Sequence, residues 1–421
     1  VGKPRSLDLA ACVLAFAVGC HVDSNAITPP VDGALEDSGG PIDGGTRRDG
    51  DVRRDTGVPV DSGPPPADGG PDAGPDRTLS IGEAHACATV DGQLYCWGQN
   101  GNGQLGLGDR TPRDVAAAVS IGGAVVELSA GELFTCAIVA DEAMYCWGRN
   151  ANGQLGAGDR VDRDVPMRLD DPSGFFGLSC GYSHACALHG AGELWCWGLN
   201  SEGQLAQSGS TDVLVPTQSD TFDDWVQIDA GQGHTCGVRA TGALWCWGRN
   251  SSGELGQGTG ASLQIRDPVR VGTSTDWVEV SADQHHTCGL RTSGAVFCWG
   301  LGSDPRLGQP DLGNHPDPVR VPSLDGITDI DAGRFHTCAR QDEELYCWGR
   351  NIEGQLGLGN TDMLMGAQHT GAGFAAIDLG GFFTCALDTA GMPHCTGANS
   401  VGQLGVGDTV RRDRLTPVVL P

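Results

Sequence analysis

With 53 acidic against 26 basic side chains in 421 residues, the chain carries a net charge of −27. It is long enough for a large domain, and too acidic to favour nucleic acid or an anionic membrane as a partner. Beyond the first twenty residues no apolar stretch reaches the length of a transmembrane helix.

At the N-terminal end, Lys3 and Arg5 precede the apolar run LAACVLAFAVGC, too short to span a bilayer and suited to an export signal. Ala17-Val18-Gly19-Cys20 resembles the lipobox of a bacterial lipoprotein, with Ala17 where leucine is usual. Residues 1–20 are therefore expected to be a lipoprotein-type signal with Cys20 as the acylated residue; a secretory signal cut nearby is the alternative. Residues 21–77 are Asp, Gly, Pro and Ser with almost no aromatics. Such a composition buries too little apolar surface to fold, so a disordered tether is expected, with a root-mean-square reach of roughly 40 Å. The tether holds −7 of the charge and the first twenty residues +1, leaving −21 for residues 78–421.

From residue 78 onward one sentence of sequence is written seven times. Each copy holds a cysteine pair: Cys87 with Cys96, Cys136 with Cys146, Cys186 with Cys196, Cys236 with Cys246, Cys288 with Cys298, Cys338 with Cys347, and Cys385 with Cys395. The period is near fifty residues. In the first copy Asp91-Gly92 stands midway between the cysteines, as a two-residue type I′ hairpin wants. Counting outward places Cys87 opposite Cys96 as a non-hydrogen-bonded pair, about 4.5 Å apart at Cα and within disulfide range. Copies with one more residue keep that register through three-residue loops, four of them ending in Gly192, Gly242, Gly294 and Gly391. Metal ligands favour spacings of two to four, so seven disulfides are expected and no metal or other cofactor. Cys180 stands where other copies have Ala130, Ala230, Ala282 or Ala332, and reads as a buried small residue.

Four short strands fit each copy, and no helical period recurs. Seven four-stranded sheets that cannot bury their faces alone predict an all-β, seven-bladed propeller over residues 78–421. The first copy lacks the strand that precedes others (Pro268 to Val271, Pro318 to Val321), and Thr416 to Leu420 follows the last. The C-terminal strand is accordingly expected to complete the first blade and lock the ring, so that removal of Pro417 to Pro421 is costly.

The frame AGxxHTCAL…GxLYCWGxNxxGQLGxGD resembles the repeat of the regulator of chromosome condensation family. Gly153-Gln154-Leu155-Gly156, Gly203-Gln204-Leu205 and Gly354-Gln355-Leu356-Gly357 are its strongest matches, each shortly after a Trp-Gly. The resemblance covers residues 78–421 and implies a seven-bladed propeller; the paired cysteines look like those of exported bacterial members. Departures are Asp304-Pro305-Arg306 in the fifth copy, Thr396 for tryptophan in the last, and Phe134 and Phe383 for histidine.

Five histidines two residues before a cysteine (His85, His184, His234, His286, His336) sit in equivalent blades, too far apart to share one ion. They are expected to hydrogen-bond between neighbouring blades. The repeated tryptophans read as packing between blades. The Gly-Gln-Leu-Gly runs lack the helix N-terminus and lysine of a phosphate loop. Binding is sought in the two free residues between glycine and histidine, which vary within a constant frame and emerge on one face. The candidate face comprises Glu83, Glu132, Leu133, Phe134, Tyr182, Gln232, Gln284, His285, Arg334, Phe335 and Phe382. In the family the corresponding loops form a partner-binding face. The expectation is a monomeric, non-enzymatic module that binds a protein or surface glycan, is displayed on the bacterial cell envelope, and meets the membrane only through its lipid. Nucleotide exchange on a small GTPase and a propeller lyase or glycosidase are the alternatives. No acid/base pair, nucleophile elbow or zinc signature supports the last.

Overall fold

Asp91 and Gly92 take φ of 51° and 76°, the left-handed pair a type I′ turn requires. The strands on either side, His85–Val90 and Gln93–Gly98, meet with Val90 opposite Gln93 and Cys87 opposite Cys96. The computed structural model describes residues 78–169, 174–219 and 222–421. The expected signal at 1–20, with its lipidation at Cys20, and the tether at 21–77 lie outside those residues. In the longer hairpins the left-handed residue is the glycine the spacing pointed to (Gly192, Gly242, Gly294, Gly391), with Glu142 doing the same in the second copy.

Every cysteine pair of the repeat is bonded within its own hairpin. Cys87 joins Cys96, Cys136 joins Cys146, Cys186 joins Cys196, and Cys236 joins Cys246. Cys288 joins Cys298, Cys338 joins Cys347, and Cys385 joins Cys395. The Cα atoms stand 4.1 Å apart in each, slightly closer than the 4.5 Å of an ordinary non-hydrogen-bonded pair. Cys180 is free and buried, and burial pushes its thiol up to about 12.

The described strands form seven antiparallel sheets of four, each in simple sequential order. The first is Leu79–Ile81, His85–Val90, Gln93–Gly98 and Arg113–Ala118, from the central channel outward. Neighbouring inner strands pack in succession, and Phe374–Leu379 of the seventh blade returns to Leu79–Ile81 of the first, so the ring is closed.

Closure differs from the expectation in one respect. The C-terminal strand, Arg412–Pro417, pairs with Pro393–Gly397 of its own seventh blade and not with the first. The Pro-Val-Arg-Val segments are likewise the outer strands of the blades they follow: Gln264–Arg270 pairs with Leu244–Arg249, and His315–Arg320 with Val296–Gly300. Every blade is thus one continuous stretch of chain. The physical reason lies in the loop after the third strand. The Asn100 side chain donates to the carbonyls of Asp109 and Thr111 and accepts from Leu105 N–H at 3.0 Å, turning the chain straight back on its own blade.

Blades are joined by a repeated buried unit. Trp147 Nε1 donates to the Gln104 carbonyl of the preceding blade at 2.8 Å, and Thr135 Oγ1 donates to the same oxygen at 3.0 Å. The Thr135 hydroxyl has spent its proton, so His85 must donate to it from Nε2, at 3.0 Å. His184–Thr235, His234–Thr287, His286–Thr337 and His336–Thr384 repeat the contact between successive blades. Trp97 Nε1 to the Gln403 carbonyl, 3.0 Å, carries the same tie across the closing seam.

Phe134 and Phe383 replace histidine at two interfaces, and there the following blade offers Ala185 and Ala86 in place of threonine. Phe134 is fully buried and belongs to this interior packing. Its assignment to the binding face is therefore corrected: a benzyl group facing a methyl fills the volume that imidazole and hydroxyl fill elsewhere. In the seventh blade Thr396 Oγ1 reaches the Gly354 carbonyl at 2.9 Å in place of an indole, and Leu415 packs over Gly357. The fifth copy's altered loop forms a short 3-10 turn, Pro305–Leu307, that buries Arg306.

Candidate functional site

Each inner strand ends on the same face of the ring, and the loop leading to the second strand carries the variable pair. That face is where the chain brings distant side chains together. Tyr182 Oη donates to Glu83 Oε2 at 3.0 Å although 99 residues separate them, and Arg334 pairs with the other Glu83 oxygen. Arg334 Nε also donates to Gln284 Oε1 at 3.0 Å, and Arg249 Nη1 to Gln232 Oε1 at 2.9 Å. His285 stands 3.9 Å from Glu254, which Arg249 holds at 2.9 Å. Phe335 and Phe382 stack with ring centroids 4.8 Å apart. Arg350, Arg334 and Arg306 lie 4.8, 5.0 and 5.1 Å from the Phe335 ring, within cation–π range.

These residues share one face but are not the free loop tips that their variability suggested. Glu83, Glu132, Leu133, Tyr182, Gln232, His285, Arg334, Phe335 and Phe382 are half-buried, and Gln284 is buried. They form a knitted platform. Arg249, Arg306 and Arg350 complete it and were missed because they come from the end of the third strand and the loop after it, which folds back over the same face. That loop also supplies an outer rim of apolar tips: Val161, Leu263, Leu312, Met363 and Val410 are 51–70 % exposed.

Beneath the platform runs the central channel, with a cavity of about 140 Å³. One position of each inner strand faces the first cysteine of its blade, namely Ser80, Ser129, Ser179, Asp229, Ser281, Asp331 and Asp378, and all of these but Ser281 line the cavity. Each side chain accepts a hydrogen bond from a backbone N–H of the next blade. Ser80 takes Ala130 N–H at 2.9 Å, Ser129 takes Cys180 at 2.9 Å, Ser179 takes Ala230 at 2.9 Å, Asp229 takes Ala282 at 2.6 Å, and Ser281 takes Ala332 at 3.0 Å. Asp331 and Asp378 take Leu379 and Ile81, closing the belt. The signal was in the sequence as a small polar residue two before each Gly-x-x-His loop.

The channel's carboxyls are driven toward their neutral form. Burial, then Asp229 and Asp329 nearby, pushes Asp331 up to about 8. Burial raises Asp229, and burial with neighbouring carboxylates raises Asp283 and Asp378. Glu132 is raised by burial and by Glu83. The inter-blade histidines are pushed the other way by burial, His85, His184, His234 and His336 to about 3.

These two sets pull stability in opposite directions. Asp331, raised in the fold, contributes stability that is present below its unfolded pKa near 4 and lost as pH rises through about 8. A histidine lowered in the fold contributes stability present above 6.5 and lost as pH falls toward 3. Between pH 6.5 and 8 the Asp331 contribution declines while that of the lowered histidines is already complete, so stability should fall with rising pH in that window. Asp331→Ser, which installs the residue of four other blades, should remove about 1.5 kcal/mol of that fall. Urea midpoints at pH 6.5 and 8 check it; an unchanged slope in the variant counts against a buried proton at Asp331.

Comparison with known proteins places this arrangement. A family model described as RCC1-like domain matches residues 72–370. Over 147 residues the chain is 35 % identical to the ultraviolet-B receptor UVR8 of Arabidopsis thaliana, covering 33 % of each chain. The match thus spans about a third of that relative's length. The crystal structure of human WBSCR16 superposes with a TM-score of 0.69 at 18 % identity, over 78 % of this chain and 94 % of that one. Prp20p of Saccharomyces cerevisiae, whose structure was described with its binding to Gsp1p and histones, gives 0.65 at 20 % identity, over 73 % and 81 %. At these identities the two structures speak to the fold alone.

Proposed function

Since this chain belongs to the RCC1-like domain family, we propose that it is a non-enzymatic protein-binding propeller that engages its partner through the face bearing the Gly-x-x-His loops. The observation that carries the reading is the Phe335–Phe382 stack under Arg306, Arg334 and Arg350. Aromatic and arginine side chains held rigid at the centre of a face, ringed by apolar tips, match the composition of interface hot spots. Seven disulfides favour an oxidising compartment, in keeping with display outside the cytoplasm, for which Cys20 would supply the lipid anchor. Among the described residues no helix is long and apolar enough to cross a membrane.

The test is affinity capture from the native cell envelope. Phe335→Ala with Arg350→Ala should weaken retention of the captured protein about 30-fold or more, the effect of losing a hot spot of 2 kcal/mol. Glu343→Ala, in a hairpin on the opposite face, should leave it intact. Equal retention by both variants would move the interface elsewhere, and recovery of saccharide without protein would favour the glycan form of the idea.

A further inference from the structure

Six of the seven inner strands are followed by glycine: Gly82, Gly131, Gly181, Gly231, Gly333 and Gly380. The fifth has Asp283. The reason for glycine is steric, since a Cβ on Gly181 would stand 2.3 Å from the Gly231 carbonyl oxygen. Asp283 therefore breaks a packing rule that the other blades keep, and its carboxylate hangs in the channel just below the mouth. That carboxylate has no hydrogen bond or ion pair among the described residues. The nearest cations are committed elsewhere, Arg306 to Asp304 and Arg334 to Glu83. One tier deeper, Asp331 Oδ2 is sealed from solvent and has no hydrogen-bond partner among the described residues.

Two carboxyl groups, Asp283 with neither oxygen partnered and Asp331 with Oδ2 unpartnered, line one narrow bore in a body of charge −21. Burial alone favours their protonated form, and an entering cation would displace those protons, so together they describe a receptor for positive charge. A bare metal ion suits it poorly: no three His, Cys, Asp or Glu of the described residues are grouped to hold one. An ammonium on a slender alkyl stem suits it well. Its three N–H donors can satisfy carboxylates arranged along a line, and a lysine side chain's four methylenes fit a bore of about 140 Å³. Among the described residues the chain offers no lysine of its own, since Lys3 is the one lysine in the sequence and lies outside them. Arg334 shows the preference in miniature, its guanidinium already drawn to the mouth by Glu83.

We propose that the channel mouth is a receptor for a primary alkylammonium group, which Asp283 and Asp331 hold after it enters past Glu83 and Tyr182. This deepens the function proposed above, on which it rests only for the source of the ammonium: a lysine of the bound partner, as against a free amine.

The experiment is calorimetric titration of the full-length protein with n-butylammonium chloride and with a capped Gly-Lys-Gly tripeptide, the norleucine tripeptide serving as uncharged control. Asp283→Gly and Asp331→Ser are the variants of choice, because each installs the residue standing at that position in other blades; thermal melts verify that they fold. Binding of both amines, weakened at least about tenfold in each variant and absent for norleucine, supports the site and a partner lysine as its source. Binding of butylammonium alone, with the same loss in the variants, supports the site with a free amine as its ligand. No binding of either amine, or binding that both variants leave unchanged, overturns it. The titration reads the channel without a partner, so failed capture by the Phe335 variant and failed amine binding remain separate results.

Discussion

A chain that stops after Thr416 should unfold about 5 kcal/mol more easily than one that runs to Pro421, although it loses only five residues. Val418 is 5 % exposed and sits in a cluster with Ile81, Ala86, Trp97, Phe383 and Leu404, drawn from the first and seventh blades. Its N–H donates to the Pro393 carbonyl at 2.9 Å. Val419 donates to Gly405 at 2.8 Å, and its carbonyl accepts Ala116 N–H of the first blade at 3.1 Å. Burial of one valine is worth about 2 kcal/mol, and each hydrogen bond lost adds about 1. Removing Pro421 alone should change nothing, since that residue is exposed. Urea unfolding of the two truncations is the check; equal midpoints would mean that the seam between seventh and first blades is held by something else.

The second large effect is expected at a histidine. His184→Phe should cost about 2–3 kcal/mol, because the ring would be forced against the Thr235 hydroxyl that now accepts its proton. Adding Thr235→Ala should bring the loss below about 1 kcal/mol, since the double variant reproduces the Phe134–Ala185 and Phe383–Ala86 pairings the molecule already uses. The double variant also removes one imidazole that resists protonation in the fold, so it should lose less stability than the parent between pH 6.5 and 5. A double-mutant cycle with no coupling would separate the two positions and sink this account of the interface.

Much of the architecture could be read from the repeat, because local chemistry fixes it. Asp91-Gly92 dictates its turn, and the turn dictates that Cys87 meets Cys96. The same logic carries through the longer hairpins, where Gly242 or Gly294 absorbs the extra residue and leaves Cys236 facing Cys246 and Cys288 facing Cys298. Which blade owns the outer strand could not be read the same way. Pro268 to Val271 is an extended segment whichever neighbour it joins, and the choice is made by the Asn-centred loop, whose hydrogen bonds are not a strand signal. The platform was legible as a set of positions and illegible as a set of contacts. Nothing local says that Glu83 will meet Tyr182 and Arg334, 99 and 251 residues away. Phe134 is different, for the information was present: phenylalanine in one copy goes with alanine in the next. Reading each copy alone made it an interface aromatic; reading adjacent copies as pairs makes it interior. Asp283 was visible too, as the odd residue in a column of glycines, but its importance depends on the bore into which that column opens.

Because each sheet is drawn from one uninterrupted run of chain, no junction around the circle depends on a strand lent by another wedge. The joint between last and first wedge uses the same indole-to-carbonyl tie as five of the other six. A wedge could therefore be copied, deleted or reshuffled in descent by one recombination in any spacer, with no thread needing to be re-tied. What such a newcomer would have to satisfy is arithmetic of angle: whether the wedges still sum to a full turn.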